Sequence, residues 1–241
     1  MMIVLPAGNA SEWTGPTGNN TYLLTGATSA LIDAGTGRTE HVTAIAQRLA
    51  AAPLDLVLLT HHHVDHVAGV PDLLARWPAV IVRGGGIGDP FQDGEMIDAG
   101  GTRLRAIHTP GHAPDHFCFF DDVSGDLFCG DLARIGGTVV IPASKGGSLR
   151  DYLRSLDRVR QLGPRRLLPA HGPAIDDPGS LIDEYLQHRF EREQQIVAAL
   201  AAGCRTPADI VSRVYVGLSP SLHAAAEETV RAHLQKLEDD G

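Results

Sequence analysis

Between Thr60 and His66 the chain places four histidines and an aspartate in the run Thr60-His61-His62-His63-Val64-Asp65-His66, directly after the apolar residues 54–59. Side chains alternate along an extended segment, so His61 and His63 project to one side. A turn after them can carry Asp65 and His66 to a neighbouring point. Imidazole and carboxylate are ligands for zinc and related first-row cations, and a catalytic site keeps a position open for water. Three further segments offer the same chemistry: Thr109-Pro110-Gly111-His112, Cys129-Gly130-Asp131 and Pro169-Ala170-His171-Gly172. Each candidate ligand follows a strand-like run and adjoins a glycine, where backbones can approach closely. A structural zinc cage is usually closed by four ligands, often with cysteine. Seven oxygen and nitrogen donors instead indicate an open, reactive site, and two cations held together would make it hydrolytic.

These ligands need rigid carriers. Residues 21–24, 30–33 and 54–59 read as buried strands, with a helix at 40–52 between the last two. A helix at 70–76 is followed by strands near 80–82, 103–107, 117–120 and 126–129. Ser148 caps an amphipathic helix ending at Gly163-Pro164, and a strand at 165–169 leads into His171. Alternating strands and helices imply layered α/β packing. Beyond Asp176-Asp177-Pro178-Gly179 only helical signals remain, at 181–202, at 207–215 behind a Thr206 cap and at 222–237. The expected division is a catalytic domain over 1–178 and a helical C-terminal domain over 179–241.

Composition sets outer bounds. A formal charge of -9 opposes a surface coated for non-specific nucleic-acid binding. Cys118, Cys129 and Cys204 form no disulfide framework and read as buried small hydrophobes. Residues 1–13 lack the pattern of an export signal and no stretch is apolar enough to span a membrane, so a cytoplasmic location is expected. His41, His188, His223 and His233 read as polar helix residues. His62 and His116, with Thr60 and Asp33, read as hydrogen-bonding support for the ligands.

The ordered set His61, His63, Asp65, His66, His112, Asp131, His171 resembles the signature of the metallo-β-lactamase superfamily over residues 16–178. The resemblance implies a four-layer αβ/βα sandwich holding two divalent cations, Zn2+ first and Fe or Mn as alternatives. His61, His63 and His112 would hold one cation, Asp65, His66 and His171 the other, and Asp131 would bridge them. It also implies a bridging hydroxide as nucleophile, with Asp65 as the catalytic residue that positions it or accepts its proton. Asn20-Thr21-Tyr22-Leu23, Asp115-His116, residues 152–156 and tail segments including Thr206-Pro207 and His223 are similar to the β-lactamase-like protein two branch. That branch appends a small winged-helix-like domain. Two departures, Leu132 after Asp131 and a short segment at 83–94, are expected to fall near the substrate.

Between Lys145 and Arg166 stand seven basic residues against Asp151 and Asp157, a local net of +5. With the branch resemblance, this points first to a phosphodiester substrate such as single-stranded RNA. A thioester, lactone or other acyl ester is the alternative, since the same hydroxide attacks a carbonyl. A β-lactamase or a non-catalytic binding module stands further off. The tail carries ten acidic against six basic residues from Ser180 onward, which opposes a DNA-binding role. The tail is expected to cover one side of the site or to form a homodimer contact through its stripe of Ile196, Leu200 and Leu234, with packing on the main domain as the alternative.

Overall fold

The computed structural model describes all 241 residues. Ten strands form two five-stranded sheets. The first runs β1 (Met2–Pro6), β2 (Asn20–Leu24), β3 (Ala30–Ile32), β4 (Leu56–Leu59), β5 (Ile81–Gly84), antiparallel as far as β3 and parallel beyond it. The second runs β10 (Arg166–Pro169), β9 (Asp126–Gly130), β8 (Phe117–Asp121), β7 (Thr102–His108), β6 (Met96–Ala99), with only the β10–β9 pair parallel.

Strand alternation sorts the apolar residues into layers. Tyr22, Leu24, Ile32 and Leu58 face Leu104, Phe119, Phe128 and Leu168 between the sheets. On the outer side of the first sheet, Leu23, Leu31 and Val57 pack on Ile45 of α1 (Thr39–Leu49) and Leu73 of α3 (Val70–Arg76). On the outer side of the second, Ile107, Leu127 and Leu167 meet Tyr152, Leu156 and Val159 of α4 (Leu149–Leu162). The result is the expected four-layer sandwich.

Most elements coincide with the sequence reading, and the differences have local causes. The outermost strands β1 and β6 lie outside the expected set; each has a single paired neighbour and half-exposed side chains, so neither shows a buried run. Helix α1 stops at Leu49, short of 52, because Ala50 takes a positive φ of 54°. The cap of α4 forms as expected, Ser148 Oγ accepting from Asp151 N at 3.2 Å. A short helix α2 (Val64–Val67) supplies the turn after the histidine run.

Helix α5 (Pro178–Ala201) is capped by Asp177 and runs unbroken. Its first half gives Ile182 and Tyr185 to the core beneath the second sheet. Its second half gives Ile196 and Ala199 to a small core with Ile210 and Val211 of α6 (Pro207–Val214) and Val230 of α7 (His223–Asp240). Leu200 and Leu234 pack on that same core, so the apolar stripe of the tail is covered within the chain. His41 and His233 are buried rather than polar surface residues, His41 pairing with Thr21 Oγ1 at 2.8 Å. Cys118 and Cys129 are buried and Cys204 partly exposed, all three as free thiols. No helix is long and apolar enough to cross a membrane.

Gly111 fixes how closely α4 approaches the ligand loops. Its φ is +138°, and a Cβ there would lie 2.3 Å from Tyr152 Cα. Gly111→Ala is therefore expected to cost about 3 kcal/mol or more in denaturant unfolding. An unchanged unfolding midpoint would show that α4 can yield.

Candidate metal centre

All seven expected ligands meet at one edge of the sandwich, delivered by the ends of four strands. β4 ends at Leu59 and releases His61, His63 and, through α2, Asp65 and His66. His112 follows β7, Asp131 follows β9 and His171 follows β10. Parallel strands put their C-terminal ends on the same side, which explains why β9 and β10 deliver ligands together.

The donor atoms fall into two groups. His63 Nδ1 lies 3.0 Å from His61 Nε2 and 2.8 Å from His112 Nε2. In the second group, Asp65 Oδ2 lies 3.6 Å from His66 Nε2 and 3.5 Å from His171 Nε2. Asp131 faces both, with Oδ2 at 3.5 Å from His112 Nε2 and Oδ1 at 3.2 Å from His171 Nε2. One proton cannot satisfy three converging imidazole nitrogens. Moreover, His66 Nε2 and Asp131 Oδ1 are buried with no hydrogen-bond partner. Buried orphans of this kind call for a further partner, and a divalent cation fits a set of nitrogen and carboxylate donors.

In three of the five histidines the opposite ring atom is held by the protein, which aims the free one inward. His61 Nδ1 meets Thr60 Oγ1 at 3.0 Å, His66 Nδ1 meets Asp33 Oδ2 at 2.8 Å and His112 Nδ1 donates to Val140 O at 2.7 Å. Asp33 also accepts from Thr60 N at 2.8 Å. Its φ of 60° is left-handed, a conformation that aspartate tolerates better than most residues. His116 is buried, pairs with Thr109 Oγ1 at 2.8 Å and accepts from Asp131 N at 3.1 Å. His62 lies outside the cluster, paired with Asp115 at 2.7 Å. Gly130 leaves room for this network: a Cβ there would lie 2.7 Å from His116 Nε2.

Electrostatics favour ligation by His61, His63 and Asp131; at His66 and His171 burial opposes charge, but Asp33 and Asp131 outweigh it at His66 and Asp131 at His171, holding both rings above the ordinary imidazole value. Burial, then the neighbouring His66 and His112, holds His61 well below the ordinary imidazole value. Burial and His112 push His63 down to about 4. The His61 and His63 rings therefore keep their lone pairs at neutral pH. Burial opposes charge on Asp131, but His171 and His66 outweigh it and hold the carboxyl well below the usual range.

Several contributors escaped the sequence reading. Asn19, buried, donates to Asp65 Oδ2 at 3.0 Å, and Asn20 Nδ2 donates to Gly172 O at 2.8 Å beside His171. Asn20 belongs to a motif that carries the family resemblance, whereas Asn19 has no sequence signal that separates it from an ordinary turn residue. The tail also supports the site. Tyr185 Oη lies 2.9 Å from the carbonyls of Arg134 and Gly137 as their donor, Arg189 donates to Val139 O, and Thr229 Oγ1 accepts from Ile141 N at 3.4 Å. These contacts hold the loop whose Val140 carbonyl orients His112. Leu132, by contrast, is buried in the core beneath the second sheet and does not face the substrate side, contrary to expectation. In the short 83–94 segment Phe91 is buried against Phe117 and Phe119.

The cluster floors a cleft of ≈ 650 Å³ lined by Trp13, Val64, Arg134, Val139, Pro142 and Lys145, among others. The model of the Metallo-beta-lactamase superfamily matches residues 14–101 and 84–171, and that of the Beta-lactamase associated winged helix domain matches 206–241. The chain is 33% identical to the Beta-lactamase-like protein 2 homolog of Caenorhabditis elegans over 240 residues, 93% of this chain and 80% of that one. It is 35% identical to the Atrochrysone carboxyl ACP thioesterase of Aspergillus chevalieri over 221 residues, 88% of this chain and 70% of that one. A crystal structure of a metallo-beta-lactamase family protein from Thermus thermophilus superposes with a TM-score of 0.79 at 26% identity, covering 100% of this chain and 94% of that one.

The Asp33 carboxylate generates a test of ligand orientation. Asp33→Asn keeps the shape and the left-handed tolerance but removes the charge facing His66. Affinity for divalent metal, measured by chelator competition, is expected to fall about 10- to 100-fold. Unchanged affinity would make Asp33 a folding residue only.

Proposed function

The chain belongs to the metallo-beta-lactamase superfamily and carries the associated winged helix domain, and on that premise we propose that this metal-dependent hydrolase cleaves acyl thioesters in the cleft above the His/Asp cluster.

The observation that carries this reading is the make-up of the cleft wall. Trp13, Val64, Ala133, Val139 and Pro142 present apolar surface, and Arg134 and Lys145 are the only arginine and lysine among them. Such a wall suits an acyl group better than a polyanionic backbone, which needs a track of cations. The arginines that pointed to a phosphodiester are committed elsewhere. Arg150 pairs with Asp240, Arg154 with Asp151, Arg158 with Asp93, and Arg160 with Asp157 and Asp183. Arg165 and Arg166 share Asp126. Of that basic stretch only Lys145 lines the cleft. The name of the Aspergillus chevalieri relative, a thioesterase, agrees with the same substrate class.

In this reading His61, His63 and His112 would hold one cation and Asp65, His66 and His171 the other, with Asp131 available to both. When bound, such a pair supplies Lewis acidity and lowers the pKa of water towards neutrality. Asp65 lines the cleft and Asn19 holds its Oδ2, which leaves the other carboxylate oxygen to take a proton from attacking water and return it to the departing sulfur. The water oxygen forms the new C–O bond, the C–S bond breaks, and a carboxylic acid and a thiol leave. The apolar wall keeps bulk water from the acyl group, and the Lys145 ammonium offers charge to the carboxylate product.

Metal analysis is expected to find two divalent ions per chain, and a panel is expected to rank an acyl thioester above a lactone, bis(p-nitrophenyl) phosphate, single-stranded RNA and nitrocefin. Cleavage of RNA or the phosphodiester with no thioester turnover would sink the proposal. Asp65→Ala and His112→Ala should each lower thioester turnover by at least ~10³-fold and reduce bound metal. Full activity in either variant would remove that residue from the site.

A further inference from the structure

The cleft does not end above the cluster. A second cavity of ≈ 300 Å³ adjoins it, and the two share Trp13, Arg134, Thr138, Val139 and Val140. Its far wall is built by the C-terminal domain, from Tyr215, Leu218, Leu222, Ala225 and Ala226. The only acid in its lining, Glu12, is occupied by the Ser221 hydroxyl at 2.5 Å. What the cavity offers a ligand is therefore mainly apolar surface, next to the cleft above the His/Asp cluster.

Arg134 stands at the junction. Its Nη1 donates to Trp13 O at 2.9 Å, and its backbone N–H and carbonyl are both held by Tyr185 Oη. The guanidinium is thus fixed in place, yet its buried Nε has no protein partner. The residue lines both cavities, so a ligand that spans them passes alongside it.

We infer that the second cavity is the subsite for the apolar limb of the acyl group, entered past Arg134 from the metal cleft and walled by the C-terminal domain. This rests on the acyl-thioester reading above. It also gives the tail a role in substrate selection: α7 and the 215–222 segment set how long a chain can be seated. A limb lying there removes its methylenes from water against Leu218, Leu222 and Ala226, so affinity should climb with chain length until the cavity is full.

The test is calorimetric binding of butyrate, hexanoate, octanoate and decanoate to the intact, zinc-loaded protein, alongside kcat/KM for acyl-N-acetylcysteamine thioesters of the same lengths. Binding should tighten about three- to fourfold per added methylene before levelling off, and kcat/KM should rise in parallel. Leu222→Trp narrows the cavity from the tail side and Thr138→Trp from the exposed rim of the main domain; each should cut the octanoate-to-butyrate affinity ratio at least tenfold. Thermal unfolding of both variants checks that they fold. A flat chain-length series in the wild type, or a series preserved in both variants, overturns the inference. If fatty acids bind with the expected slope but no thioester is turned over, the catalytic reading fails while the subsite stands. Thioester turnover without any slope keeps the catalytic reading and overturns the subsite.

Discussion

Seven nitrogen and carboxylate donors are turned towards one another, an arrangement that a cation between them would satisfy. Three imidazole nitrogens converge, His63 Nδ1 lying within 3.0 Å of the other two, and two buried atoms, His66 Nε2 and Asp131 Oδ1, have no protein partner. Everything nearby is arranged to tolerate this. Thr60, Asp33 and the Val140 carbonyl hold the far sides of the rings, and burial keeps His61 and His63 neutral. The sandwich serves as a frame that brings strand ends to one edge and keeps them there.

The C-terminal domain is part of that frame. Helix α5 crosses from the core beneath the second sheet into the tail core, so the two units share a rigid element. Tyr185, Arg189 and Thr229 then grip the loop between Arg134 and Ile141. That loop does three things at once: it presents a carbonyl to His112, lines the metal cleft and walls the adjoining cavity. Orientation of the ligands and shape of the substrate site are therefore coupled through the same backbone.

Charge counted along the sequence does not show where that charge is presented. The stretch from Lys145 to Arg166 is strongly basic as sequence, but each of its arginines meets a carboxylate from another part of the chain or from its own helix. Exposed pairs of this kind contribute little stability. Their effect is to flatten a field that would otherwise attract polyanions. Only Arg134 and Lys145 are left in the cleft, among apolar neighbours.

The sequence determined the candidate donor set, the strands that deliver it and the caps of α4 and α6, because each is a local pattern: donor spacing, a buried run, a capping residue. It did not separate out the edge strands β1 and β6, whose side chains are partly exposed. Nor could it show the burial of His41 and His233, the Asn19 contact to Asp65 or the inward turn of Leu132. The partners of the arginines and the second cavity were likewise decided only by the fold. Those features depend on which distant segments become neighbours, and long-range contact leaves no mark in the local spacing of residues.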